Sequence, residues 1–197
     1  MPYVEDRIVH DADSHVMETP DWIEEFGPKH LTDLLLENFS LGDNQVALRE
    51  FETCRELHKD PAYRAEDEQQ ILLRKNWRAT GAFVPADRSR ALDLLGFASQ
   101  LVFPTILNVV LEALEHADDD ALTYETASAG NRALAAFCAQ DPRLLPVAYL
   151  PISDLERAPV AAEEAIELGC SALLTVSYTH LRAHETDSYL VCRLLLE

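Results

Sequence analysis

The residues best suited to chemistry sit together near the N-terminus. Asp11, Asp13 and His15 occupy alternate positions behind the apolar pair Ile8-Val9, and Glu18 follows three residues later. In a β-strand, residues two apart share a face. The spacing therefore predicts that Asp11, Asp13 and His15 project together from the C-terminal end of a first strand. A carboxylate beside an imidazole suits a divalent metal such as Zn²⁺ or Mn²⁺. The same residues also fit a strand that runs out into a polar, solvated loop. His10 is out of phase with His15 and is expected on the opposite face, behind the strand.

The elements that must position these residues follow a regular rhythm in the second half of the chain. Ser99 to Phe103 reads as a short buried strand stopped by Pro104. A helix follows from about Ile106, and Asp118-Asp119-Asp120 caps a second one that runs through Leu134 and Phe137 to Cys138. Leu144 to Leu150 is a third strand, closed by Pro151. Ser153-Asp154 caps a helix that ends at Leu168, with Gly169 as its C-cap. Cys170 to Val176 is a fourth strand. Strands alternating with helices at this spacing imply βαβ units and a parallel sheet. Between the first strand and this rhythm lies a charged helical insertion, about residues 20 to 80, whose pattern fits exposed amphipathic helices. Trp22 and Trp77 are expected as packing anchors. Residues 87 to 96 form a capped helix ahead of the second strand.

Composition bounds the class. A chain of 197 residues with 48% apolar residues can bury a substantial core. Its 35 acidic and 16 basic residues give a net charge of −19, which repels nucleic acid and anionic membrane. No apolar run approaches the ~20 residues needed to span a bilayer, and no basic-then-apolar leader is present. Cys54, Cys138, Cys170 and Cys192 are widely spaced and form no CxxC pair; Cys138 and Cys170 sit in apolar surroundings and read as reduced core residues, as expected of a cytoplasmic protein.

Three stretches together resemble the amidohydrolase-related family, which includes metal-dependent decarboxylases and hydrolases related to aminocarboxymuconate-semialdehyde decarboxylase. The first is Asp11 through Glu18. The second is Arg90-Ala91-Leu92-Asp93-Leu94-Leu95-Gly96 with Leu101-Val102-Phe103-Pro104-Thr105. The third comprises Asn131-Arg132, Asp141-Pro142-Arg143-Leu144, Leu150-Pro151 and Glu167-Leu168-Gly169-Cys170. The resemblance spans residues 6 to about 175. It implies an α/β fold, a (β/α)₈ TIM barrel of the metal-dependent hydrolase type with one divalent ion at its C-terminal mouth. In that family the first strand donates an acid-x-His or His-x-His pair, and Asp13-Ser14-His15 stands in that position. A carboxylate in place of a histidine favours harder ions such as Mn²⁺ over a purely nitrogen site. The ion would act as a Lewis acid or activate water on a small carboxylated substrate. Glu18 and Asp11 would line the mouth or support the ligands from behind; Glu18 could equally cap the helix that follows it in the chain.

A complete barrel of this kind takes roughly 250 residues, so residues 1–176 correspond to its first four strands. The family's remaining metal and catalytic residues come from later strands. A half barrel is expected to expose unpaired edges on strands 1 and 4, to uncover inner residues such as Val102 or Val147, and to associate, with a homo-oligomer as one outcome. Residues 177–197 have no counterpart in the family. They resemble a peptide produced when adapter or vector DNA is translated. His180 and His184 stand four apart there, but a zincin carries Glu directly after its first histidine, and this segment does not. The competing expectation is a non-catalytic acidic α/β module that docks proteins through its helical insertion.

Overall fold

A computed structural model describes residues 2–19, 21–38, 45–117, 119–175 and 190–192. The fold is α/β, and its centre is a sheet of four parallel strands in sequence order. These are β1 (His10–His15), β2 (Ser99–Phe103), β3 (Leu144–Tyr149) and β4 (Ala172–Thr175). Neighbouring parallel strands in sequence order, each reached through helices, are compatible with half of a β/α barrel.

The helices fall where capping and periodicity place them. The insertion holds α1 (Lys29–Asn38), α2 (Gln45–Leu57) and α3 (Pro61–Asp67), the last capped by Asp60 accepting from the Ala62 amide. Next comes α4 (Pro85–Leu95), closed by Gly96 at φ 75°. A Cβ at Gly96 would lie 2.3 Å from the Val4 carbonyl oxygen, so only glycine fits. Between β2 and β3 run α5 (Ile106–His116) and α6 (Asp120–Cys138), and α6 is capped by Asp119. Their contact is so close that a Cβ on Gly130 would meet Leu107 Cδ2 at 2.0 Å. Finally α7 (Ala158–Glu167) leads to β4. It starts four residues after Asp154, whose carboxylate caps the preceding turn through the Glu156 and Arg157 amides.

Three expectations are corrected. The insertion is no free amphipathic surface: Leu31, Leu35, Phe51 and Cys54 are buried, and Leu31, Leu35 and Phe51 join the largest core cluster with Phe103, Val147 and Leu174. Each such side chain contributes about 1.5–3 kcal/mol by leaving water. Trp77 packs edge-on against Phe51 and Trp22 against Phe137, as anchors. Second, neither Val102 nor Val147 is uncovered; both are 0% exposed. Val102 belongs to a separate cluster with Leu92, Leu134 and Phe137, while Val147 lies among the insertion residues. Third, β4 is not an open edge. A fifth strand, β5 (Leu190–Cys192), pairs with it antiparallel. β5 comes from the segment read as foreign to the barrel, and His180 and His184 lie outside the described residues. β1 remains an edge of the described sheet.

Cys138 and Cys170 are free thiols, and they and Cys54 are buried. Burial pushes the Cys138 thiol up to about 12 and the Cys170 thiol up to about 11, so both stay inert thiols. No helix among the described residues is long and apolar enough to cross a membrane.

Candidate functional site

The alternation expected along β1 is broken by one extra residue. His10 and Asp11 pair with Ser99 and Gln100, but Ser14 and His15 pair with Val102 and Phe103, so the register shifts between Asp11 and Ser14. Paired residues of neighbouring strands share a face. Asp11 therefore lies on the face of Gln100, Val102 and Ser14, and His15 lies on the other with Phe103. The structure separates Asp11 from His15 and brings His10 back to His15's face, the reverse of the period-two expectation. His10 is exposed, bonded to Ser99 Oγ at 2.7 Å, and does not pack behind the strand. Ile8 is 80% exposed, so it contributes nothing to the core.

Asp13 and His15 do meet. Asp13 Oδ1 lies 3.2 Å from His15 Nε2 at the C-terminal end of β1, with both side chains open to solvent. His15 is held firmly from its other side. Its ring stacks on Phe103 at 5.5 Å between centroids. Its Nδ1 lies 3.1 Å from the Pro104 carbonyl oxygen and 3.3 Å from Thr105 Oγ1. The carbonyl can only accept, and Thr105 already donates its hydroxyl proton to the Val16 carbonyl at 2.8 Å. The proton on Nδ1 is thereby assigned. The Nε2 lone pair of a neutral ring then faces the Asp13 carboxylate, and two acceptors repel unless a proton or a cation sits between them.

Glu18 is placed differently from a mouth residue. It is 2% exposed, and its carboxylate accepts from the Thr105, Ile106 and Leu107 amides at 2.8, 3.1 and 3.1 Å. These are orphan donors of the first turn of α5, and a carboxylate there also meets the positive end of the helix dipole. Burial pushes the Glu18 carboxyl up, against the pull of these amides. Glu18 thus caps a helix remote in sequence and, by fixing Thr105, holds the hydroxyl and carbonyl that orient His15. Asp11 accepts from Gln100 Nε2 and from the Asp13 amide, each at 3.1 Å.

Sequence reasoning missed Arg88. It is 6% exposed, and its guanidinium donates to Ser14 Oγ at 3.0 Å and to the His15 carbonyl at 2.8 Å. A buried cation on an otherwise amphipathic helix left no signal in the periodicity. A second feature the sequence did not announce is a cavity of about 510 Å³ beside the C-terminal end of β3, lined by Tyr124, Ser128, Tyr149, Arg157 and Glu164 among others. Its polar groups largely bond one another: Ser128 donates to Glu164 at 2.6 Å, and Arg157 pairs with Asp154 at 3.2 Å. None of Asp11, Asp13, His15 and Glu18 lines it.

The Asp13–His15 spacing fits a metal. Two ligands at ~2.0–2.1 Å from one ion, at angles of about 90–110°, lie roughly 3.0–3.4 Å apart, and these atoms are 3.2 Å apart. A ligating imidazole is ordinarily fixed by a carbonyl on its other nitrogen, as Pro104 does here. Two donors are fewer than a closed site needs, and among the described residues no group of three His, Cys, Asp or Glu side chains converges. Neither a family model nor a curated protein matches the sequence.

Proposed function

We propose that this chain carries the N-terminal part of a metal-dependent hydrolase or carboxy-lyase of the amidohydrolase-related type, acting on a small carboxylated substrate. Asp13 and His15 supply two ligands to one divalent ion, Zn²⁺ or Mn²⁺, and further ligands come from strands beyond the fourth. The observation that carries this reading is the geometry of the pair: Asp13 Oδ1 lies 3.2 Å from His15 Nε2, while the Pro104 carbonyl takes the ring's other nitrogen. Supporting it, the pair lies at the C-terminal end of a parallel strand, where β/α folds bind their ligands.

When bound there, the ion serves as a Lewis acid toward a substrate carboxylate. The chain's own residues do the positioning. Phe103 and Pro104 fix the ring of His15, Thr105 holds its Nδ1 proton, and Glu18 holds Thr105. Asp13 brings a negative charge to the exposed side, where it neutralises part of the cation's charge. The competing reading, an acidic module docking through residues 20 to 80, has less support because Leu31, Leu35 and Phe51 turn inward.

Mn²⁺ titration followed by NMR tests the proposal. Mn²⁺ is expected to broaden the His15 ring resonances before those of His30 and His116. His15→Ala and Asp13→Ala are each expected to weaken the response at the remaining neighbour by at least about tenfold, since even losing a ligand's supporting partner costs ~10–100-fold. Broadening spread evenly over the acidic surface, or unchanged in Asp13→Ala, would overturn it.

A further inference from the structure

On the face of β1 opposite His15, three polar side chains meet the extra residue of the strand. Asp11 accepts from the Asp13 amide through one carboxylate oxygen and from Gln100 through the other. Gln100 is 4% exposed. Arg88, reaching from α4, donates to Ser14 Oγ and to the carbonyl of His15 itself. These contacts span the shift in register from Asp11 to His15 on both sides. We propose that Arg88 is a positioning residue: with Asp11 and Gln100 it locks the bulge and, through the His15 carbonyl, the strand end from which Asp13 and His15 project.

The energetics favour this role over simple packing. A buried guanidinium costs several kcal/mol in desolvation unless it is compensated, and an apolar side chain at this position of α4 would join Leu92 and Leu134 without that cost. What the arginine adds is directional. Its Nη2 alone donates to a side-chain oxygen and a main-chain oxygen on successive residues, tying the two together. The Asp11 carboxylate favours the charged guanidinium against its burial. Arg88 Nε and Gln100 Oε1 have no partner among the described residues, so the cluster is not optimised for stability alone. A strand without the extra residue would restore plain alternation. Ser14 would then face away from Asp11, and Arg88 could not hold both Ser14 and the His15 carbonyl.

The inference rests on the metal reading for its purpose, but its geometry can be tested without metal. The probe is the ¹⁵N ring spectrum of His15 in the metal-free chain, followed by Mn²⁺ titration. The unmodified chain is expected to show the Nδ1 proton held against exchange. In Arg88→Met that protection is expected to be lost, and the Mn²⁺ needed to broaden His15 to rise about tenfold. Arg143→Ala, which loosens the opposite rim of the sheet, is expected to lower thermal stability while leaving both signals in place. Arg88→Lys is expected to fall between the two. Should Arg88→Met fail to fold, Ser14→Ala removes one of the two contacts in a milder way and is expected to give a smaller shift in the same direction. An Arg88→Met or Ser14→Ala chain that keeps the His15 ring signal overturns the inference, as does an Arg143→Ala chain that loses it equally. If His15 in the unmodified chain ignores Mn²⁺ yet its ring signal depends on Arg88, the metal reading falls and the positioning role stands.

Discussion

At the N-terminal rim of the sheet, Asp93, Asp141 and Arg143 bond one another several times over, whereas at the C-terminal rim the exposed Asp13 carboxylate faces only His15 among the described residues. Arg143 donates to both oxygens of Asp141 at 2.7–3.2 Å and to Asp93 at 2.8 Å, tying α4 to the start of β3. These bonds hold the Asp141 carboxyl down to about 2 and push the Arg143 guanidinium up. Asp13, by contrast, is 88% exposed along its side chain and faces one imidazole. Aspartates serve as a staple with an arginine at one rim and face a histidine in the open at the other. Their difference is how many of their lone pairs the chain itself satisfies.

The contrast can be broken at several points. The largest effect is expected at Glu18, which belongs to the C-terminal rim but is satisfied like the other one. Glu18→Ala strands three amide donors and is expected to cost about 3 kcal/mol or more in urea unfolding, with Glu18→Gln losing roughly half as much. Arg143→Ala is expected to cost about 1–2 kcal/mol, after allowing for the solvent screening of a guanidinium that is partly exposed.

Acid should separate two carboxyls by sign. Asp141 is held near 2 against an ordinary 3.8, so the stability it supplies is complete above 3.8 and lost as pH falls toward 2. Glu115, buried beside the end of β3, accepts from Tyr149 Oη at 2.9 Å. Burial raises it, so its contribution runs the other way: stability is gained as pH falls through its raised value toward 4.5. Urea midpoints measured against pH are expected to lose their acid slope below 3.8 in Asp141→Asn, and their slope above 4.5 in Glu115→Gln.

The smallest effect is expected at the open pair. Asp13→Asn should change unfolding free energy by less than about 0.5 kcal/mol, as an exposed substitution does, while still weakening the Mn²⁺ response. A large loss of stability there would mean that the exposed rim is structural after all.

Local pattern was enough for the strands and helices of the second half. Pro104 and Pro151 follow the ends of β2 and β3, Asp119 caps α6, and Gly169 follows α7 at φ 85°. Each of these signals acts within a few residues, through a fixed φ, a missing donor or a capping oxygen. Local pattern was also enough to single out Asp13 and His15 as neighbours, because two residues apart is a contact that β1 itself supplies.

The facing of β1 was decided elsewhere. Period two presumes an unbroken ladder, and the extra residue is held by Gln100 and Arg88, which lie 89 and 74 residues from their partners. Nothing near Asp11 in the chain announces them. Glu18 presents the same case: its three amide donors lie 87 to 89 residues away, so its choice between a mouth and a helix cap waited on where α5 begins in space. The burial of the insertion is likewise tertiary. The charge pattern of its helices described their outer faces, while Phe51 and Leu31 pack into the core with residues of the sheet. A one-dimensional pattern specifies which atoms a residue brings. Which of those atoms remain unsatisfied, and hence free for chemistry, depends on partners that only the folded chain brings within reach.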